Sequence, residues 1–267
     1  MKRGSILWGI TFLLGLALFL TGCNGSQQST SKTTANQPVS LTLSAAASLK
    51  DAMTELQGMY TQAKPNVTIT YNFGASGSLQ RQIEEGAPVD LFISAASKQM
   101  NELQTKDLID PSSRVDLLEN EVVLVAPKDS SISDFTDLAG TKVKKLALGE
   151  PQSVPAGQYA QEVLTKLNIA EAVKSKSVFA KDVRQVLTYV ESGNTEAGIV
   201  YETDAKTSDK VKTVAKAPQG SHSPILYPLA VVKASKNQAA ANDFALFLQG
   251  EQAKAVFEKY GFTVHTK

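Results

Sequence analysis

Two hydrophobic rhythms alternate along the chain beyond residue 38. Short runs dense in β-branched and aromatic residues predict strands over 39–45, 67–73, 91–93, 121–125, 145–148, 197–201 and 227–232. Between several of them apolar residues recur three and four positions apart, which predicts helices over 49–62, 79–85, 159–167, 183–192 and 239–259. Such alternation points to α/β units with largely parallel sheets flanked by helices. A single doubly wound domain satisfies the pattern. Two lobes fit better, because the candidate binding residues described below fall into an early pair and a later trio. The expected crossings lie near 120–125 and 222–227, so one lobe is built from 39–121 plus 223–267 and the other, 122–222, is inserted into it.

Ahead of this body the pattern changes. Lys2 and Arg3 precede an almost unbroken apolar stretch over 6–20. Spanning a membrane takes roughly 20 residues; this shorter stretch has the proportions of a signal-peptide core. It closes on Leu20-Thr21-Gly22-Cys23, which resembles the lipobox of bacterial lipoproteins. Residues 1–22 are therefore expected as a signal peptide and Cys23 as the lipidated N-terminus of the processed chain. A buried core cysteine is the alternative, but nothing near Cys23 reads as a core element. Cys23 and the following residues to 38 form the expected tether, where Ser, Thr, Gln and Asn dominate and no large apolar residue repays the entropy of ordering. Each buried CH₂ of an acyl chain contributes about 0.8 kcal/mol, so a lipid bilayer can be a partner without any hydrophobic helix. The expected location is extracytoplasmic, anchored to the cell membrane.

Charge narrows the partners further. The 267 residues carry 27 Lys and Arg against 26 Asp and Glu, and loss of Lys2 and Arg3 leaves a net charge near −1. No long basic run survives, which argues against nucleic acid. Any anion must be captured locally and not by a global positive field. Cys23 is the sole cysteine, so no disulfide forms within the chain. Nothing calls for an oligomer, and a monomer is expected.

Local chemistry concentrates where a strand or loop ends, a small or polar corner follows, and a helix begins. Helix starts leave N–H groups without intrahelical acceptors and add partial positive charge, so they are natural anion sites. In Ala45-Ala46-Ala47-Ser48-Leu49-Lys50-Asp51, Ser48 and Asp51 have the spacing of a capping box, and Ser48 is either a plain cap or a ligand. In Phe73-Gly74-Ala75-Ser76-Gly77-Ser78-Leu79, Ser76 and Ser78 either cap the next helix or donate to a guest. In Val154-Pro155-Ala156-Gly157, Pro155 suits a first helical turn, and Ala156 and Gly157 expose backbone donors with little side chain in the way. Asp182 has Gln185 three residues on and reads as an N-cap, leaving the Val183 N–H to face outward. Tyr201 closes a predicted strand, where an aromatic ring packs or its O–H donates.

Catalytic and metal readings find less support. A nucleophile elbow needs Gly-x-Ser-x-Gly, and Gly74-Ala75-Ser76-Gly77 falls one residue short. Only His222 and His265 are available as a base for Ser76, and no Gly-Lys-Ser/Thr follows to make a phosphate loop. Asp182 has no His, Cys or second carboxylate at a spacing that holds a metal. What remains is a cage of neutral donors. Hydrogen bonds to a charged partner contribute about 1.5–3 kcal/mol each, and roughly five to seven of them support tight binding after association costs.

The ordered set Ala45-Ala46-Ala47-Ser48-Leu49, Gly74-Ala75-Ser76-Gly77-Ser78-Leu79, Gly86-Ala87-Pro88-Val89-Asp90-Leu91-Phe92-Ile93-Ser94-Ala95, Val154-Pro155-Ala156-Gly157-Gln158-Tyr159-Ala160, Asp182-Val183-Arg184, Gly198-Ile199-Val200-Tyr201 and Tyr260-Gly261-Phe262 resembles the periplasmic molybdate-binding proteins, the substrate-binding components of molybdate ABC transporters. The resemblance covers essentially the whole body. It implies a non-catalytic, two-lobed type II periplasmic-binding fold, each lobe a mostly parallel sheet flanked by helices, with a tetrahedral dianion between the lobes. It implies as oxyanion ligands Ser48 and Ser76 through hydroxyl and backbone N–H, the backbone N–H groups of Ala156 and Val183, and the Tyr201 hydroxyl. The implied ligand is molybdate or tungstate, which the sequence does not separate; no cofactor is implied, and membrane permease subunits are the implied partner. Gly77 stands where some relatives carry Ser, from which a change of loop shape without change of function is expected. Cys23 departs from Gram-negative relatives, which are typically free in the periplasm. The rival readings are a binding protein for sulfate, phosphate or another oxyanion, and a serine hydrolase using Ser76.

Overall fold

The computed structural model of the protein describes residues 37–265. The expected signal peptide, Cys23 and the tether up to residue 36 lie outside the described residues.

Strand β1 (Val39–Ala46) leads through a 3₁₀ turn (Ala47–Leu49) into α1 (Lys50–Ala63), followed by β2 (Val67–Gly74), α2 (Ser76–Glu84), β3 (Leu91–Ile93), α3 (Ser97–Thr105) and β4 (Val115–Glu119). The chain then continues as β5 (Val122–Pro127), β6 (Leu146–Gly149), α4 (Pro155–Lys166), α5 (Ala170–Lys174), β7 (Ser177–Ala180), α6 (Val183–Glu191), β8 (Ala197–Tyr201), α7 (Glu202–Ala205) and β9 (Val211–Lys216). It finishes with β10 (Leu226–Val231), α8 (Gln238–Leu248), α9 (Glu251–Lys259) and β11 (Thr263–Val264). Two sheets result, ordered β11-β4-β10-β3-β1-β2 and β7-β6-β8-β5-β9. The chain passes from the first sheet to the second between β4 and β5 and returns between β9 and β10.

The sheets are mixed where mostly parallel ones were expected. Strands joined by helical crossovers are parallel, namely β1 with β2 and β3, and β6 with β7 and β8. The strands at or next to the two passages run antiparallel to their neighbours, as β10 does to β3 and β4, and β5 does to β8 and β9. A strand arriving from the other sheet has no helix of its own sheet to reverse it, so nothing imposes the parallel sense.

Burial follows position. Edge strand β2 alternates, with Val67 and Ile69 inside and Thr68 and Thr70 outside, whereas interior β1 is buried almost throughout its second half. Helix α6 buries Val183, Val186, Leu187 and Val190, a stripe at helical spacing. The expected helix over 239–259 is two helices. Gly250 takes extended φ and ψ of −82° and 164° as the N-cap of α9 and breaks the run. Strands β4 and β9 are interrupted by polar residues, β7 is only four residues long, and α3 is mostly polar and buries only Gln99, Met100 and Leu103, so all four escape the hydrophobic pattern.

One close approach fixes where α4 starts. A Cβ on Gly157 would lie 2.1 Å from the Gly149 carbonyl oxygen, so the first turn of α4 seats directly on the end of β6.

Candidate functional site

Four helical starts point at one place. The 3₁₀ turn after β1, and the first turns of α2, α4 and α6, meet at a cavity of about 10 Å³ whose walls include Ser48, Ser76, Ala156, Val183 and Tyr201. All five residues singled out in the sequence therefore share one enclosure, the early pair from the first sheet's side and the later trio from the second's. A space near the roughly 10–15 Å³ that holds one water-sized body admits only a small, compact guest.

Each donor has an identifiable setting. Ser76 and Val183 are the first residues of α2 and α6, and Ala156 is the second of α4, positions whose N–H groups have no intrahelical acceptor. Asp182 caps α6 by accepting the Gln185 N–H at 2.9 Å, while the Gln185 side chain accepts the Lys181 N–H at 2.8 Å. The cap thus consumes Asp182 within its own helix. Ser48 and Asp51 do not form the expected capping box, because a 3₁₀ turn beginning at Ala47 precedes α1. Ser48 Oγ instead lies 2.9 Å from the Tyr227 hydroxyl, and Asp51 pairs with Arg184 at 2.7 Å. Ser76 Oγ accepts the Ala95 N–H at 2.9 Å. The Tyr201 hydroxyl makes a long contact, 3.5 Å, with the Ala95 carbonyl and also faces the Tyr227 hydroxyl.

The electrostatics of the walls keep these donors protonated. Burial raises the Tyr201 phenol well above its usual range, with Tyr227, Tyr159 and Asp204 adding to it. Tyr227 is also pushed upward, by burial and then by the Asp204 charge. Arg184 stands beside the cavity, but its charge is shared between Asp51 and the fully buried Asp204, 2.6 Å from Nε. Burial pushes the Asp204 carboxyl up to about 6 against the opposing pull of Arg184. Burial outweighs the attraction and hydrogen bonding of Arg184 together. Burial opposes the Arg184 charge as well, yet the two carboxylates hold its pKa above the usual value. With one cation set against two anions, the cavity has no surplus positive charge, and oriented neutral groups are what it offers an anion.

Several contacts cross between the lobes around this cavity. Gly77 N–H donates to the Ser153 carbonyl at 2.9 Å, and Arg184 Nη2 donates to the Ser48 carbonyl at 3.2 Å. A Cβ on Gly77 would lie 2.8 Å from the Ser153 oxygen and 2.9 Å from its Cα. Gly77 therefore does more than shape its loop: its bare backbone lets the lobes meet.

Among the described residues no histidine joins Ser76 at the cavity. His222 Nδ1 contacts the Ser223 carbonyl and His265 pairs with Glu119, and neither lines the cavity. Sequence reasoning missed Ala95, Asn120 and Tyr227 and assigned no role to Arg184. Ala95 closes a quoted motif, which was its one available signal; Asn120 and Tyr227 carry no local signature.

The whole described body matches one family. Residues 41–263 fit the model of bacterial extracellular solute-binding proteins. The chain belongs to this family. It is 48% identical over 256 residues to the putative ABC transporter substrate-binding lipoprotein YvgL of Bacillus subtilis, covering 94% of this chain and 96% of that one. It is 43% identical over 230 residues to the molybdate-binding protein ModA of Escherichia coli, covering 84% and 89%. Among solved structures, the substrate-binding domain of a putative molybdenum ABC transporter from Clostridium difficile superposes with a TM-score of 0.67 at 50% identity, over 85% of this chain and 100% of that one. Members of this family bind solutes and do not turn them over, and the two-lobed α/β architecture is theirs.

Proposed function

We propose that the protein captures a compact, fully deprotonated tetrahedral oxyanion, molybdate or tungstate, and delivers it to the membrane subunits of an ABC-type importer. The observation that carries this reading is the convergence of Ser48, Ser76, Ala156, Val183 and Tyr201 on one small cavity lined by neutral donors. Backbone donors set at helix starts are already oriented by the sheets behind them, so little ordering cost falls on binding. The relative in E. coli is named as molybdate-binding, which favours a metal oxyanion over sulfate. In this reading a protonated phosphate buries an O–H at a wall where the one carboxylate, Asp182, already accepts from its own helix, and the larger molybdate and tungstate reach more of the donors than sulfate does.

In this reading the lobes comprise 39–121 plus 223–267 and 122–222, and they close over the guest as a hinge. The closed pair presents the surface that the permease subunits recognise. Cys23, lipidated after removal of residues 1–22, holds the monomer at the outer face of the cell membrane through the tether that ends at residue 38.

Calorimetric titration of the full chain in detergent with molybdate, tungstate, sulfate and phosphate tests the cargo. Tight binding of molybdate and tungstate with much weaker sulfate and phosphate is expected. Strong sulfate binding with weak molybdate binding would transfer the reading to sulfate, and binding of none of the four would overturn it.

A further inference from the structure

A chain of hydrogen bonds leads from the cavity to the passage between the sheets. Asn120 lies between β4 and β5. Its Oδ1 accepts the Glu121 N–H at 2.9 Å, which fixes the orientation of the amide. Nδ2 is then a pure donor, and it donates to Thr203 Oγ1 at 2.8 Å and to Tyr227 Oη at 3.1 Å. The Tyr227 ring is fully buried and its Oη lies 2.9 Å from Ser48 Oγ. Ser48 Oγ is the acceptor that phenol meets at 2.9 Å, while the neighbouring Tyr201 hydroxyl, held protonated against Tyr227, faces it as a donor. If Ser48 gave its proton to Tyr227, the phenolic O–H would be left buried without an acceptor, which proteins avoid. The satisfied arrangement runs one way, from Asn120 through Tyr227 to Ser48, and leaves the Ser48 proton only the cavity to point into. Ser76 reaches the same state by another route, since the Ala95 N–H occupies its oxygen.

We propose that Asn120 and Tyr227 are specificity-determining residues that set the hydrogen-bond direction of Ser48, so that it can donate to a guest but cannot accept a proton from one. This rests on the oxyanion reading above and names what makes that site refuse protonated anions. A hydrogen phosphate could use Ser48 as an acceptor only by reversing the relay and orphaning a buried donor. That penalty is roughly 5- to 150-fold in affinity.

The test is Asn120→Asp. A carboxylate still accepts the Glu121 N–H, but it now accepts from Tyr227 too. Tyr227 then takes the Ser48 proton, and Ser48 turns a lone pair to the cavity. Molybdate and inorganic phosphate affinities at neutral pH are measured by calorimetry and competition for the unaltered protein, N120D, Y227F and the double variant. In N120D molybdate affinity should fall about tenfold or more while phosphate affinity falls far less or rises, so that selectivity narrows. A general effect of the added charge would lower both alike. In the double variant the relay is cut, and selectivity should return to that of Y227F, as a cycle of coupled residues requires. Y227F introduces no charge and keeps the ring, so it decides the matter even if N120D folds poorly: its selectivity should also narrow. Unchanged selectivity in Y227F, or in a folded N120D, would overturn the inference while leaving the cargo in place, as would an equal shift from N120D with and without Tyr227. Failure of the unaltered protein to bind molybdate or tungstate would overturn both.

Discussion

Ser48 and Ser76 line the same cavity but are backed differently, and substitution should tell them apart. Ser76→Ala removes a donor and also strands the buried Ala95 N–H. It should therefore weaken molybdate binding about tenfold or more and lower folding stability by about 1–3 kcal/mol, read by calorimetry and by denaturant unfolding. Abolished turnover of an ester with molybdate affinity intact would instead point to a hydrolase. Asp204 carries a pH signature. Its folded-state pKa, about 6, lies above its ordinary 3.8, so the folded protein holds that proton more tightly than the unfolded chain. Its contribution to stability is full below about pH 4, is lost as pH rises to about 6, and is flat above. Asp204→Asn stands in for the protonated carboxyl, so it should remove that slope between pH 4 and 6 and leave the protein more stable at neutral pH than the unaltered chain. Urea unfolding across pH 4 to 7 checks both. At this scale the five wall residues were legible because each sits at a helix start or strand end with its own local signature. Asn120 and Tyr227 were not, since their roles arise from partners 107 and 179 positions apart in sequence.

At the scale of elements, the positions of helix starts decide whether the donors converge. Gly157→Ala places a methyl against the Gly149 carbonyl, and α4 must lift from β6 to make room. Overpacking of this kind costs about 1–3 kcal/mol. Here it should also displace the Ala156 N–H, so affinity falls together with melting temperature. Gly77→Val acts between elements of different lobes: the fold of each lobe should survive, while the approach of α2 to Ser153 is blocked and binding weakens. Calorimetry paired with circular dichroism separates these cases. Hydrophobic periodicity located the long amphipathic helices and the apolar strands. It could not sense the break at Gly250, because the apolar rhythm continues across it, nor the short strands β4, β7 and β9, whose existence depends on neighbours supplied by distant parts of the chain.

For the whole molecule, closure is the property that matters. Scattering with and without molybdate should show compaction on binding, and identical profiles would count against a hinge. Arg184→Met removes a contact between lobes and a nearby positive charge, both acting in one direction. Weaker affinity and a larger radius of gyration at a given molybdate concentration are expected. Cys23→Ser should move the protein from the membrane fraction to the medium without altering affinity. The Gly77–Ser153 and Arg184–Ser48 bonds have a further consequence, because neither passes through the cargo. Shutting thus has a driving force of its own, and a fraction of empty molecules should visit the shut form. An importer that sensed shape alone would then spend ATP on empty carriers. Transport coupled to cargo requires either that this fraction be small or that the membrane subunits probe how long the shut form lasts.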